Sequence, residues 1–112
     1  MIKVNWDVEE LVALIDIYRR SENKTSDQIE VELERLSNAL NFRADTLGIK
    51  HDEKYRNLNG MKMMFQNVVF IATDGGKGMS SVSNSMRQVY DLQRTSPDVF
   101  NMILQEFSKR YY

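Results

Sequence analysis

Apolar residues recur along this chain mainly at intervals of three and four, the spacing that puts them on one face of a helix. Val8, Leu11, Val12, Ile15 and Tyr18 form the first such stripe. Asp7 with Glu10 has the spacing of a capping box, and Trp6 with Leu11 that of a hydrophobic staple, so a helix starts at residue 8. Arg19 and Arg20 suit its negative end, and the polar run 21–24 stops it. Ile29, Leu33, Leu36 and Leu40 make a second stripe, capped by Thr25 with Gln28 or by Ser26. This helix ends, or continues more weakly, between Asn41 and Leu47, with Gly48 as a left-handed stop. Its outer face carries Glu30, Glu32 and Glu34, an acidic surface that repels polyanions.

After a charged connector, Leu58, Met61, Phe65, Val68 and Ala72 define a central helix, with Asn57 or Asn59 as its cap. Residues 73–78 then read as a flexible glycine-rich loop whose spacing is not that of a P-loop. Lys77 and the amides near Ser80 are its candidate phosphate contacts. Ser80 or Ser81 caps the next helix, with Val82, Met86, Val89 and Tyr90 inward. Ser96-Pro97 starts the last, which buries Phe100, Ile103, Leu104 and Phe107, with Tyr111 on the same face. The pattern predicts one all-α domain over residues 1–112, a compact bundle of five to six short helices with a helix-turn-helix-like core.

Composition narrows the chemistry. A 112-residue chain with 42% hydrophobic and 28% charged residues fits one globular core. No apolar run is long enough to span a bilayer and the N-terminus lacks a signal-peptide layout, so a cytoplasmic protein without membrane contact is expected. With no cysteine and His51 as the sole histidine, disulfides, thiolate zinc sites and multi-histidine metal centres are excluded, and no cofactor is expected. The pairs Asp7/Glu10 and Asp52/Glu53 are accounted for as cap and loop charge, so no catalytic residues are assigned.

The net charge of −1 does not favour a strongly electrostatic nucleic-acid binder. Its distribution is uneven, with six basic and ten acidic residues in 1–45 against nine and six in 46–112. In the less acidic part, the outer face of the central helix (about residues 59–70) offers Asn59, Lys62, Gln66 and, near its edge, Asn67. Such donors and acceptors read base edges. Lys54, Arg56 and Lys77 are the candidate phosphate holders, and Asn57, in the turn before the helix, is a further candidate DNA contact. If three or four cations act, affinity should fall roughly as the third power of salt concentration.

Several of these stretches resemble one known family. Trp6-Asp7-Val8-Glu9-Glu10 with Leu14 and Tyr18, and then Glu34 to Leu40, look like the opening of the helical domain that precedes the nuclease in bacterial HNH-type restriction endonucleases. Arg56-Asn57-Leu58-Asn59-Gly60, followed by Met63 and Asn67, resembles that family's most specific block. Asp74, Gly75 to Gly78, Ser80, Val89 and Tyr90 follow in the family's order. Two positions depart from it: Leu58 stands where proline is usual, and Met64 where lysine is usual, the nearest lysine being Lys62.

The resemblance spans roughly residues 6–100. It implies a helix-turn-helix-like DNA-recognition module, either cut from a longer nuclease or standing alone, whose partner is double-stranded DNA. It does not imply cleavage, since one histidine cannot build an HNH centre. The competing reading is a small phage or mobile-element protein that binds and regulates or inhibits a host protein. The acidic second helix and the methionines at 63 and 64 motivate it, and a homodimer is compatible with either.

Overall fold

A computed structural model describes residues 4–79 and 82–112. Within them lie five helices and no strand: α1 (Val8–Arg19), α2 (Ser26–Leu47), α3 (Leu58–Ala72), α4 (Asn84–Thr95) and α5 (Pro97–Tyr111). The all-α expectation holds, and the second stripe runs as one uninterrupted helix rather than two.

The hub of the bundle is α1, which packs against each of the other four helices. Every residue from Glu10 to Ile17 is buried, so this helix is enclosed all round rather than on one stripe. Ala13, Leu14 and Ile17 join the stripe read from the sequence, whereas Val8 lies exposed at its start. Leu33, Leu36 and Leu40 of α2, Met61, Phe65 and Val68 of α3, Met86 and Val89 of α4, and Phe100 and Phe107 of α5 close around it.

Local chemistry sets the helix ends. Asp7 accepts from Glu10 N while Glu10 accepts from Asp7 N, and Thr25 and Gln28 repeat this reciprocal cap on α2. Gly48 ends α2 with φ of 71°, and Ile49 N donates back to the Ala44 carbonyl. Asn57, not Asn59, caps α3, its side chain accepting from Gly60 N. Ser83 caps α4. The caps assigned to Ser80 or Ser81 and the amides near Ser80 lie outside the described residues, but the start at Asn84 makes Ser83 the working cap. Pro97 opens α5 directly after α4, with Ser96 as the only residue between them.

The glycine-rich turn after α3 is packed, not loose. Met79 N donates to the Gln66 carbonyl at 3.2 Å, and Lys77 N donates to Thr73 Oγ1 at 3.0 Å. Gly78 (φ 84°) lies so close to α3 that a Cβ there would stand 2.3 Å from the Gln66 carbonyl oxygen. The turn therefore folds back along the helix it follows.

Candidate nucleic-acid interface

The eight candidate contact residues cluster on and around α3, but their side chains divide into those engaged inside the protein and those left for solvent. Arg56 is engaged. Its side chain is 8% exposed, and Nε and Nη2 donate to both oxygens of Glu10 at 2.7 and 3.0 Å. Nη1 and Nη2 also donate to the Val4 and Asn5 carbonyls, each at 3.2 Å. The guanidinium lies 4.7 Å from the Trp6 ring centre and 4.4 Å from that of Tyr55. Arg56 thus ties the chain before α1 to the turn before α3, and its donors are directed inward rather than at a phosphate.

That turn is held from behind by α2. Ser37 Oγ donates to the Arg56 carbonyl, and Asn41 Nδ2 donates to the Ser37 and Tyr55 carbonyls at 2.9 and 3.1 Å. Arg56 itself sits at φ of 48°, a left-handed conformation uncommon outside glycine, asparagine and aspartate. Its side-chain anchors and these backbone bonds over-determine the geometry.

Lys62 is exposed but pairs with Glu30 of α2. Glu30 lines one flank of α3 together with Lys62, Phe65 and Gln66, so a carboxylate stands beside the polar face read from the sequence. Asn59 and Gln66 are exposed. Asn57 serves as the cap, its Oδ1 bonded to Gly60 N at 2.9 Å. Asn67 is only 5% exposed and faces away from bulk solvent, where the helix pattern had placed it at an accessible edge. Lys54 and Lys77 are exposed and make no ion pair among the described residues.

The acidic face read on α2 is largely compensated. Glu32 accepts from Arg20 at 2.7 Å and also pairs with Lys24, and Glu30 pairs with Lys62, which leaves Glu34 exposed. The two hydrogen bonds hold the Glu32 carboxyl below its usual range against an opposing burial effect. Arg19 and Arg20 reach back to Asp16 at 2.8 and 2.9 Å, and Arg43 joins Asp7 and Glu9, each at 2.7 Å. Much of the acid excess in residues 1–45 is therefore internal wiring.

The opposite flank of α3 is different. An open groove of about 620 Å³ runs beside the first half of the helix. Trp6, Met63 and Met64 form apolar walls, Lys54 and Arg56 are its cations, and Asn57, Gly60 and Asn67 complete it without a carboxylate. The first turn of α3 also carries no acidic residue, so only the neutral Asn57 cap answers the positive end of its dipole there. Trp6, read from the sequence as packing alone, does both jobs: it packs on the core and walls this groove. The staple spacing located Trp6 at the α1 entrance, but only the Arg56 bridge brings it beside α3.

His51 is also placed by this network. Its ring stacks on Tyr55 with centres 4.6 Å apart, and its two nitrogens lie 3.0 Å from the Asp52 carbonyl and 2.9 Å from Asp45 Oδ1. Those contacts, the Asp52 carbonyl first, raise the imidazole pKa above its ordinary value. Among the described residues no group of three potential ligands could hold a metal ion, and no helix is long and apolar enough to cross a membrane.

Comparison with protein families, with curated proteins and with solved structures finds no match to this chain.

Proposed function

We propose that this chain is a DNA-recognition module without catalysis of its own, which presents the first half of α3 and its carboxylate-free flank to the duplex. The observation that carries this reading is the groove between Trp6 and α3, whose lining holds Lys54 and the first turn of the helix and no carboxylate, Arg56 being paired inward with Glu10. Asn59 is exposed in the first half of α3 to reach base edges, Gln66 is exposed on the flank it shares with Glu30, and Lys54 and Lys77 are the candidate cations free for phosphates. The resemblance to the domain that precedes the nuclease in HNH-type restriction endonucleases supports the same reading. The segment between α2 and α3, residues 48–57, is longer than the roughly three- or four-residue turn of many helix-turn-helix units. The module is helix-turn-helix-like in presenting a supported helix, not in the length of its turn.

Two free cations set the electrostatic scale. Affinity for a mixed-sequence duplex should weaken by about tenfold between about 50 and 200 mM salt, less than three or four contacts would give. Fluorescence anisotropy at both salts tests this, with Lys54→Ala as the variant that weakens binding and flattens the slope while leaving the helical circular dichroism unchanged. No binding at the lower salt overturns the proposal. The second reading, a module that binds and regulates another protein, is favoured by one feature, the 55% exposure of Met63 beside the same groove. A protein partner whose binding is lost in Met63→Ala, with no DNA affinity, would establish it instead.

A further inference from the structure

The outer face of α5 carries an uncovered row of regular spacing. Asp98, Met102, Gln105 and Lys109 follow one another at intervals of four, three and four, the spacing of a helix–helix seam. All four are exposed, Met102 by 62%, and Val99 stands exposed beside them. Neither Asp98 nor Lys109 makes an ion pair among the described residues, whereas Glu106 and Arg110 on the flank pair with each other. An acid at the start of a helix and a base at its end suit the dipole, but the dipole gives no reason for an uncovered methionine between them.

We propose that a second copy of this chain covers this face, α5 lying antiparallel on α5 about a twofold axis. In that register residue 98 faces 109 and residue 102 faces 105, so Asp98 meets Lys109 of the other copy at both ends of the contact. Both Met102 side chains fall near the axis, each against the stem of the other copy's Gln105. Charge complementarity selects this face for a second copy. The outer face of α2 also exposes apolar side chains, Val31 and Phe42, but the same operation there would bring Asp27 against Asp45. A net charge of −1 leaves little general repulsion between copies. Among the described residues α5 packs against α1, α2 and α4 and makes no contact with α3, so the pairing leaves the α3 surface free and does not rest on the DNA-binding reading. A seam of fifteen residues, about 22 Å, buries less than the about 1,600 Å² of a standard interface, so the dimer is weak, with a dissociation constant on the order of 100 μM.

Sedimentation equilibrium between about 10 μM and about 1 mM protein reads the association, and the mean mass should climb from one chain toward two across that range. Asp98→Lys sets lysine against Lys109, and Lys109→Glu sets glutamate against Asp98, so each variant alone should associate at least about tenfold more weakly. In an equimolar mixture of the two variants every facing pair is again acid with base, and the mass should rise as it does for wild type. Both positions are exposed, so helical circular dichroism should be unchanged in each. Met102→Ser, which leaves the helix ends alone, should also weaken association and serves if a charge change frays α5. A wild type that stays monomeric at about 1 mM overturns the proposal. So does a dimer that survives in both charge variants, since its contact would lie on another face, and so does a mixture that stays monomeric where wild type pairs.

Discussion

Arg56→Ala separates an internal anchor from a surface contact. The guanidinium makes four hydrogen bonds, two of them to a carboxylate that is 1% exposed, and lies against two aromatic rings. Truncation leaves Glu10 enclosed with only the Asp7 N–H at 3.1 Å and the Tyr55 hydroxyl at 3.4 Å. Breaking a buried pair from one side costs about 3–5 kcal/mol, because the remaining charge stays desolvated. A domain of this size is stable by about 5–15 kcal/mol, so the loss is a large fraction of the total. With a urea slope of about 1–3 kcal/mol per molar, the denaturation midpoint should fall by about 2 M. Adding Glu10→Gln should recover part of this, since glutamine keeps the capping box without the stranded charge. A midpoint unchanged in Arg56→Ala, together with weakened DNA binding, would refute the reasoning and return Arg56 to the phosphate contacts.

Three other outcomes follow from separate parts of the structure. Gly48→Ala meets no atom within 4 Å and bears only its positive φ, about 1 kcal/mol. Gly78→Ala adds a collision with α3 backbone and should cost about 3 kcal/mol or more, so thermal melts must rank the two in that order. His51 should titrate by NMR above its ordinary 6.5, and Asp45→Asn should bring the midpoint down. Because the folded-state value is the higher one, the contact's contribution is full below about 6.5 and is lost as pH rises through the folded midpoint. Glu30→Gln should release Lys62 and remove a negative charge beside α3, tightening duplex binding by a few-fold at low salt; unchanged affinity would place that flank outside the interface.

Helices and caps were legible because they depend on residues a few positions apart. The boxes at Asp7/Glu10 and Thr25/Gln28, the stop at Gly48 and the start at Pro97 all appear where local spacing puts them. The enclosure of α1 was not legible, since Ala13, Leu14 and Ile17 look like the back of an amphipathic stripe until four other helices surround them. Long-range charge pairing was hidden for the same reason. Nothing local distinguishes Arg56, joined to Glu10 across 46 residues, from Lys54, which stays free two positions earlier. Asn67 illustrates the limit on an amphipathic helix: seven residues beyond Gly60 it returns near an exposed edge by period, yet it is only 5% exposed once the bundle closes.

The same coupling makes the anchor matter to the groove it is not free to contact. Trp6 is no part of a helix; it stands in the extended segment before α1, whose Val4 and Asn5 carbonyls are held by the Arg56 guanidinium. The Trp6 wall therefore keeps its distance from Met63, Met64 and Asn67 only while Arg56 bridges that segment to the turn before α3. Loss of Arg56 should consequently weaken duplex binding even at temperatures where the bundle remains helical, because the Trp6 segment loses its tie to the turn before α3. Part of the binding should survive through Lys54, whose backbone N–H donates to Asp52 and whose exposed side chain does not depend on the bridge. A variant that loses duplex binding altogether would mean that Arg56 supports the whole α3 surface, not the aromatic wall alone.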